Sequence, residues 1–204
     1  VTTRHLLQHT SGLPRHWRNL YSDEQYSVPK FAETIYRYGI ITTTPGAEYG
    51  YSNLGYGLLA YIVEKISGKP FAEYLEKEVL LPLGLKDTTV ENQRRLSRAA
   101  AAIYNADGSQ VPYYTVDECG SQRVFSSIAD LIRFGMFHLR SASPGHRNII
   151  SGRMIDRMTG ERYPVDGRGL FSSLGWLVLE KGPYNYFQVS HSGDAPGVSA
   201  QLML

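Results

Sequence analysis

Leu174-Gly-Trp-Leu-Val-Leu179, Tyr186-Phe-Gln-Val-Ser-His191 and Val198-Ser-Ala-Gln-Leu-Met-Leu204 decide the architecture of this chain. All three runs are short and rich in branched and aromatic side chains, which suit a pleated, half-buried surface. Lys181-Gly-Pro-Tyr-Asn185 joins the first two. Its Pro fixes one backbone angle and its Gly and Asn tolerate left-handed backbone, so a hairpin turn is expected there. Consecutive strands connected in this way run antiparallel.

Upstream of these strands the apolar period becomes helical. Leu54, Leu58, Ile62 and Ile66 recur at every fourth position, Leu59 and Val63 widen the stripe, and Gly68 stops it, so a buried helix is expected after Tyr51-Ser52-Asn53. Pro70 opens a second helix, Phe71 to Leu80, with Phe71, Leu75 and Val79 on one side. Ser27 and Pro29 start another from Lys30 to Tyr38, closed by Gly39. Ser127-Ile-Ala-Asp130 is a capping-box-like start for a helix to Leu139, and Ser151 caps a shorter one through Met158. Residues 4–9 form a helical turn ending at Thr10-Ser11-Gly12. Residues 88–120 carry no decisive period apart from the turn Ala106-Asp-Gly-Ser109. Helices followed by consecutive antiparallel strands define an α+β fold: a mainly helical lobe over about 1–160 and the strands of an antiparallel sheet over about 170–204. The chain opens at Val1 without Met and stops inside the apolar run at Leu204, so it is expected to be incomplete at both ends.

Composition narrows the function. The chain has 204 residues, 21 basic and 19 acidic, interspersed, with no basic stripe to follow a phosphate backbone; nucleic acid is not an expected partner. Cys119 is the single cysteine, and no Cys/His cluster has zinc-ligand spacing, so neither a disulfide, a metal nor another cofactor is implied. His5 and His9 are four apart but lack a carboxylate or third ligand. No apolar run approaches the roughly 18 residues of a membrane helix.

Two triplets can carry chemistry. A tyrosine placed just before a buried helix holds its hydroxyl at a fixed point, and nearby cations can lower its pKa from about 10 toward that of a useful general base. Tyr51 is so placed. Asn53 offers both a donor and an acceptor for a substrate amide or a neighbouring lysine. Equally, Tyr51 can be one of 15 tyrosines packing a core edge, with Asn53 a simple N-cap. His191-Ser192-Gly193 stands at the end of an expected strand: Gly193 lets a substrate backbone approach, Asp194 offers its main-chain N–H to an oxyanion, and His191 supplies a donor or a partial positive charge tuned near neutral pH. The competing reading is an edge-strand histidine bonded to a loop.

In order and context these segments resemble the serine β-lactamase, penicillin-binding protein and esterase superfamily, most nearly its class C-like branch. Arg4-His-Leu-Leu-Gln-His-Thr-Ser-Gly-Leu13 is similar to the segment entering the helical lobe. Pro45-Gly-Ala-Glu-Tyr-Gly-Tyr-Ser-Asn-Leu-Gly-Tyr-Gly57 is similar to the Tyr-x-Asn motif, and Leu174-Gly-Trp176 with His191-Ser-Gly-Asp-Ala-Pro-Gly197 to the strand of the third motif, His-x-Gly in place of Lys-Thr-Gly. The resemblance implies a β-lactamase/transpeptidase-like fold and a parent serine hydrolase that cleaves an ester or amide of a small molecule or peptide through an acyl-enzyme. In it Tyr51, Asn53 and His191 would be catalytic, and Ser192, Gly193 and Asp194 would bind substrate. It suggests a periplasmic or secreted location, with cytoplasmic members known. His at the third motif weakens the fixed positive charge for a carboxylate, which tilts the expectation toward an esterase or D-amino-acid-type peptidase.

The family nucleophile is the Ser of a Ser-x-x-Lys motif that precedes the His-Thr-Ser-Gly segment. Here that segment begins nine residues into the chain, so the motif is expected outside it and the piece alone is expected to be inactive. Ser27-Val-Pro-Lys30 is a formal match in the wrong order, on a polar helix, and reads as an N-cap. The rivals are a non-catalytic relative that binds cell-wall peptides or partner proteins, and a tyrosine-rich binding module for carbohydrate. Tyr104, Tyr113, Tyr114, Trp17 and Tyr21 can line a cleft or merely cover a core. The hydrolase reading demands that the rings of Tyr51 and His191 meet across one hollow.

Overall fold

Helices start where a hydroxyl can accept an amide that the first turn leaves unpaired. Thr2 does this for α1 (Thr3–Leu7) and Ser52 for α2 (Asn53–Ser67), which ends at a left-handed Gly68, φ 69°. Pro70 precedes α3 (Phe71–Leu75), which passes into a π-helical turn, Glu76–Leu80, where a regular α-helix was expected through Leu80. The Leu81 amide there reaches the Glu76 carbonyl (3.0 Å), and the tight turn that follows brings Leu80 and Leu83 into the core, 5% and 0% exposed. Strand β1 (Thr89–Val90), the hairpin of β2 (Ile103–Tyr104) and β3 (Gln110–Val111), and β4 (Val124–Phe125) come next. Ser127 then caps α4 (Ile128–His138), and Ser151 caps α5 (Gly152–Gly160).

The last third is an antiparallel meander of five strands in sequential order: β5 (Tyr163–Pro164), β6 (Leu170–Ser172), β7 (Leu177–Leu179), β8 (Gln188–Ala195) and β9 (Val198–Met203). The computed structural model describes residues 1–16, 33, 37, 40–90, 100–111, 120–122, 124–140, 149–182 and 185–204. Ser27 and Lys30, most of the helix expected from Lys30 to Tyr38, and Trp17, Tyr21, Tyr113, Tyr114 and Cys119 lie outside the described residues.

Two strand boundaries and one burial pattern that bear on the site differ from the sequence expectation. β7 starts at Leu177, not Leu174, because the Ser173 amide donates to the Trp176 carbonyl (2.8 Å) around a left-handed Gly175. β8 runs on through Ala195, so His191-Ser192-Gly193 lies inside the strand rather than at its end. The apolar stripe of α2 is buried only in its first half: Leu54 is 0% exposed, while Ile66 at the far end is 83% exposed. No helix of the described residues is long and apolar enough to cross a membrane.

Three apolar clusters hold these elements together. Leu80, Leu83, Leu85, Val90, Phe137 and Ile155 join α3, α4 and α5, while Leu6, Leu13 and Leu54 lock α1 onto α2. Trp176, Val178 and Val189 fasten one face of the sheet to Phe134 of α4. At that junction the His138 ring packs edge-on to Phe134, Phe137 and Trp176, and its buried Nδ1 has no hydrogen-bond partner among the described residues. Burial lowers the His138 pKa from 6.5 to about 4, and burial followed by the nearby His191 does the same to His9. The folded state therefore resists protons that the unfolded chain accepts. This stability is full above the unfolded value of 6.5 and is lost as the pH falls toward 4. Thermal unfolding from pH 7.5 to 4.5 should show the midpoint falling over that window, and His138→Phe should remove about half of the fall. A midpoint flat in pH for the unaltered protein would contradict this account.

Candidate active site

Two segments far apart in sequence are laced together at one end of α2. The Thr42 amide donates to the Gly12 carbonyl, the Gly46 amide to Thr10, the Gly50 amide to His9 and the Asn53 amide to Arg15, at 2.7, 2.7, 2.8 and 3.1 Å. The lacing needs sharp backbone turns: His9 and Gly12 both have positive φ, 55° and 75°. A Cβ on Gly12 would lie 2.2 Å from the Thr43 carbonyl oxygen, so only glycine fits the Thr-Ser-Gly turn.

This lacing fixes Tyr51. Ser52 accepts from the Gly55 amide (2.9 Å) and donates to the Pro14 carbonyl (2.8 Å), so Ser52 is the N-cap of α2. Asn53 is thereby freed from capping, and its side-chain amide lies 3.4 Å from His16 Nδ1. Asn53 is 7% exposed.

A stack of rings backs Tyr51. His9 lies between Tyr51 and Tyr56, with centroid separations of 4.2 and 5.0 Å and ring tilts of 33° and 31°, and Tyr49 meets it edge-on at 6.1 Å. Tyr56 donates its hydroxyl to the Leu7 carbonyl (3.0 Å), and burial raises its pKa far beyond the ordinary phenol value. Burial, then the neighbouring Tyr51, raises that of Tyr49, against the pull of Arg15. The Arg15 guanidinium lies 5.5 Å from the Tyr51 ring centroid and brings a cation beside that phenol.

His191 faces this stack from the sheet, its ring centroid 6.5 Å from that of Tyr51. Side chains alternate along a strand, so His191 and Gly193 share the face of Val189, which packs toward the helices. Ser192 and Asp194 point their side chains to the other face, where the Ser199 hydroxyl donates to Asp194 Oδ1 (2.7 Å). Backbone groups alternate as well. Val189 and Leu204 exchange both hydrogen bonds (3.0 and 2.8 Å), so in the register His191↔Leu202, Gly193↔Ala200 the odd-numbered residues of β8 bond to β9. The N–H groups of Ser192 and Asp194 therefore point to the side of β7, whose ladder with β8 ends at Leu177↔Ser190. A Cβ on Gly193 would meet no described atom within 4 Å, so packing does not demand glycine there. Burial pushes the His191 pKa below 6.5, partly offset by a hydrogen bond with the Ser192 backbone. Desolvation therefore disfavours the charged form of this ring relative to an exposed imidazole.

Tyr51, just before α2, and His191, inside β8, thus approach each other; Asn53 stands two positions after Tyr51, and Gly193-Asp194 follow His191 along the strand. Sequence reasoning left out His9, Tyr56 and Arg15. The clue was present in the clustering of tyrosines at 49, 51 and 56 and in the histidine just before Thr10-Ser11-Gly12. Among the described residues no group of three or more His, Cys, Asp and Glu side chains is arranged to hold a metal ion.

The fold is of the β-lactamase/transpeptidase-like type. The Beta-lactamase family model matches residues 1–204, and the chain belongs to that family. It is 30% identical to Penicillin-binding protein 4* of Bacillus subtilis (strain 168), covering 100% of this chain and 48% of that protein. It is 31% identical to the D-alanyl-D-alanine-carboxypeptidase/endopeptidase AmpH of Escherichia coli (strain K12), over 88% of this chain and 48% of the relative. The crystal structure of a Beta-Lactamase/D-Alanine Carboxypeptidase from Pseudomonas syringae superposes with a TM-score of 0.79 at 19% identity, covering 100% of this chain and 63% of that one. The chain therefore spans about half the length of the curated relatives it matches.

Proposed function

We propose that this chain supplies two walls of the active site of a serine hydrolase, which transfers an acyl group from an ester or amide to its own serine and then to water. The carrying observation is the approach of Tyr51 to His191, 6.5 Å between rings that sit on different elements and 140 positions apart. Tyr51 acts as the general base, or as the partner of a lysine base, with Arg15 beside it to favour negative charge on the phenol oxygen. Asn53 and His191 orient the scissile group. The Asp194 N–H, directed to the open side of β8, donates to the developing oxyanion, and donors fixed before the reaction stabilise that charge without reorganisation.

The serine comes from a Ser-x-x-Lys motif that the parent protein carries elsewhere, an element this family reading requires. His191 stands where the family carries a lysine, and burial lowers its pKa further, so a fixed cation for a substrate carboxylate is weakened, which favours an ester or a D-amino-acid peptide over a dedicated β-lactam substrate. AmpH, by its name a D-alanyl-D-alanine-carboxypeptidase/endopeptidase, fits the peptide side of that choice.

The test is to express the complete reading frame, treat it with a fluorophosphonate probe and map the adduct. One labelled serine, followed three positions on by lysine and preceding residue 1, is the expected result. Labelling of Ser27 would overturn its reading as an N-cap, and a complete protein with no reactive serine would favour a binding protein on the same fold.

A further inference from the structure

The ring stack behind Tyr51 has a second consequence for the site. His9 Nδ1 accepts the Ser52 amide at 3.0 Å, so the proton of the neutral ring is on Nε2 and the ring plane is fixed by the start of α2. The same ring lies 4.2 Å from Tyr51 and 5.0 Å from Tyr56, and Tyr56 is itself tethered to Leu7. His9 is 5% exposed, and it holds a left-handed backbone conformation, φ 55°, that is uncommon for a residue with a Cβ. An imidazole buried, oriented by a main-chain donor and wedged between two phenols, one of them locked, leaves Tyr51 little freedom to rotate.

We propose that His9 is a positioning residue for Tyr51: its ring, aimed by the Ser52 amide and braced by Tyr56, holds the phenol of Tyr51 toward His191. The inference rests on the reading of Tyr51 as the base and deepens it. A base displaced by about 1 Å from its working position can lose about a hundredfold in rate, so a ring that prevents the displacement acts on turnover more than on substrate binding. Burial, then the proximity of His191, keeps His9 uncharged down to about pH 4, so it braces the phenol as an apolar plate throughout the neutral range.

His9→Asn separates the two jobs of the ring. Asparagine tolerates left-handed backbone and can offer Oδ1 to the Ser52 amide, but it has no ring to set against Tyr51. In the complete protein, His9→Asn should lower kcat about tenfold to a hundredfold with KM changed less than about twofold. With 3-fluorotyrosine placed at position 51, the fluorine resonance should broaden or split in this variant. His9→Phe keeps a ring without the acceptor, and should restore a single sharp fluorine line at the cost of a lower melting temperature. An unchanged kcat and an unchanged fluorine line in a folded His9→Asn protein overturn the proposal. Should that variant not fold, the unaltered protein decides: cross-relaxation between the His9 and Tyr51 ring protons is expected, and its absence refutes the contact. If Tyr51→Phe leaves turnover intact, the base reading fails by itself, while the fluorine line still reports on His9 and Tyr51.

Discussion

Tyr51→Phe in the complete protein is expected to lower the acylation rate on a chromogenic ester about a thousandfold, with the melting temperature nearly unchanged. The substitution removes one oxygen and leaves the ring contacts with His9 and the Arg15 guanidinium in place. What disappears is the atom that, in the proposed mechanism, takes or relays the serine proton. Single-turnover kinetics separate this step from binding, since loss of a group that acts only in the transition state lowers kcat and kcat/KM together. Tyr56→Phe is the comparison: it keeps the ring against His9 and removes only the tether to the Leu7 carbonyl, so it should lower the rate far less than Tyr51→Phe. A Tyr51→Phe enzyme within about threefold of the original would place proton transfer on another group.

The largest effect on stability is expected at Asp130, which no catalytic argument touches. Its side chain is 0% exposed and accepts the Asp87 amide (2.7 Å), the Thr88 hydroxyl (2.9 Å) and the Arg133 guanidinium (2.7 Å). One carboxylate thus ties the first turn of α4 to the chain entering β1, and Thr88 extends the network to Ser126 (2.8 Å). Asp130→Ala strands a buried amide and hydroxyl, and should cost about 3 kcal/mol, the usual penalty for removing one member of a buried charged network. Arg133 is 45% exposed and contributes little of this, because its guanidinium can turn to water. Urea unfolding checks the figure as a lower midpoint at constant slope. A loss below about 1 kcal/mol would mean that the network is replaced by water or by neighbouring groups.

The fold was readable wherever one local signal governs. Ser52, Ser127 and Ser151 mark helix starts because a hydroxyl before an apolar run satisfies the orphan amides, whatever the tertiary context. The branched residues of β7, β8 and β9 likewise announce their strands. The π-helical turn at Glu76–Leu80 was not readable, since its residues are good α-helix formers and the extra residue per turn comes from seating Leu80 and Leu83 in a shared core. β5 and β6 are two and three residues long, too short for a period to emerge.

The site divides in the same way. Tyr51, Asn53, His191, Gly193 and Asp194 could be proposed from sequence because they sit in or beside two triplets whose order and spacing are visible there. His9 and Arg15 were missed as partners of Tyr51, because the left-handed turn at His9 and Gly12 folds residues 36 to 42 positions distant against the start of α2. The lowering of the His191 pKa was not readable either, since it depends on how deeply the fold buries the ring.

The most direct measurement is a crystal structure of the complete protein carrying a fluorophosphonate adduct on its serine. The account places the Asp194 N–H within hydrogen-bond distance of an adduct oxygen, about 3 Å, and the Tyr51 hydroxyl equally close to the serine oxygen, with His191 on the opposite wall. An adduct seated away from both Tyr51 and β8, or held by donors from other elements while the two rings enclose only packed side chains, would contradict it.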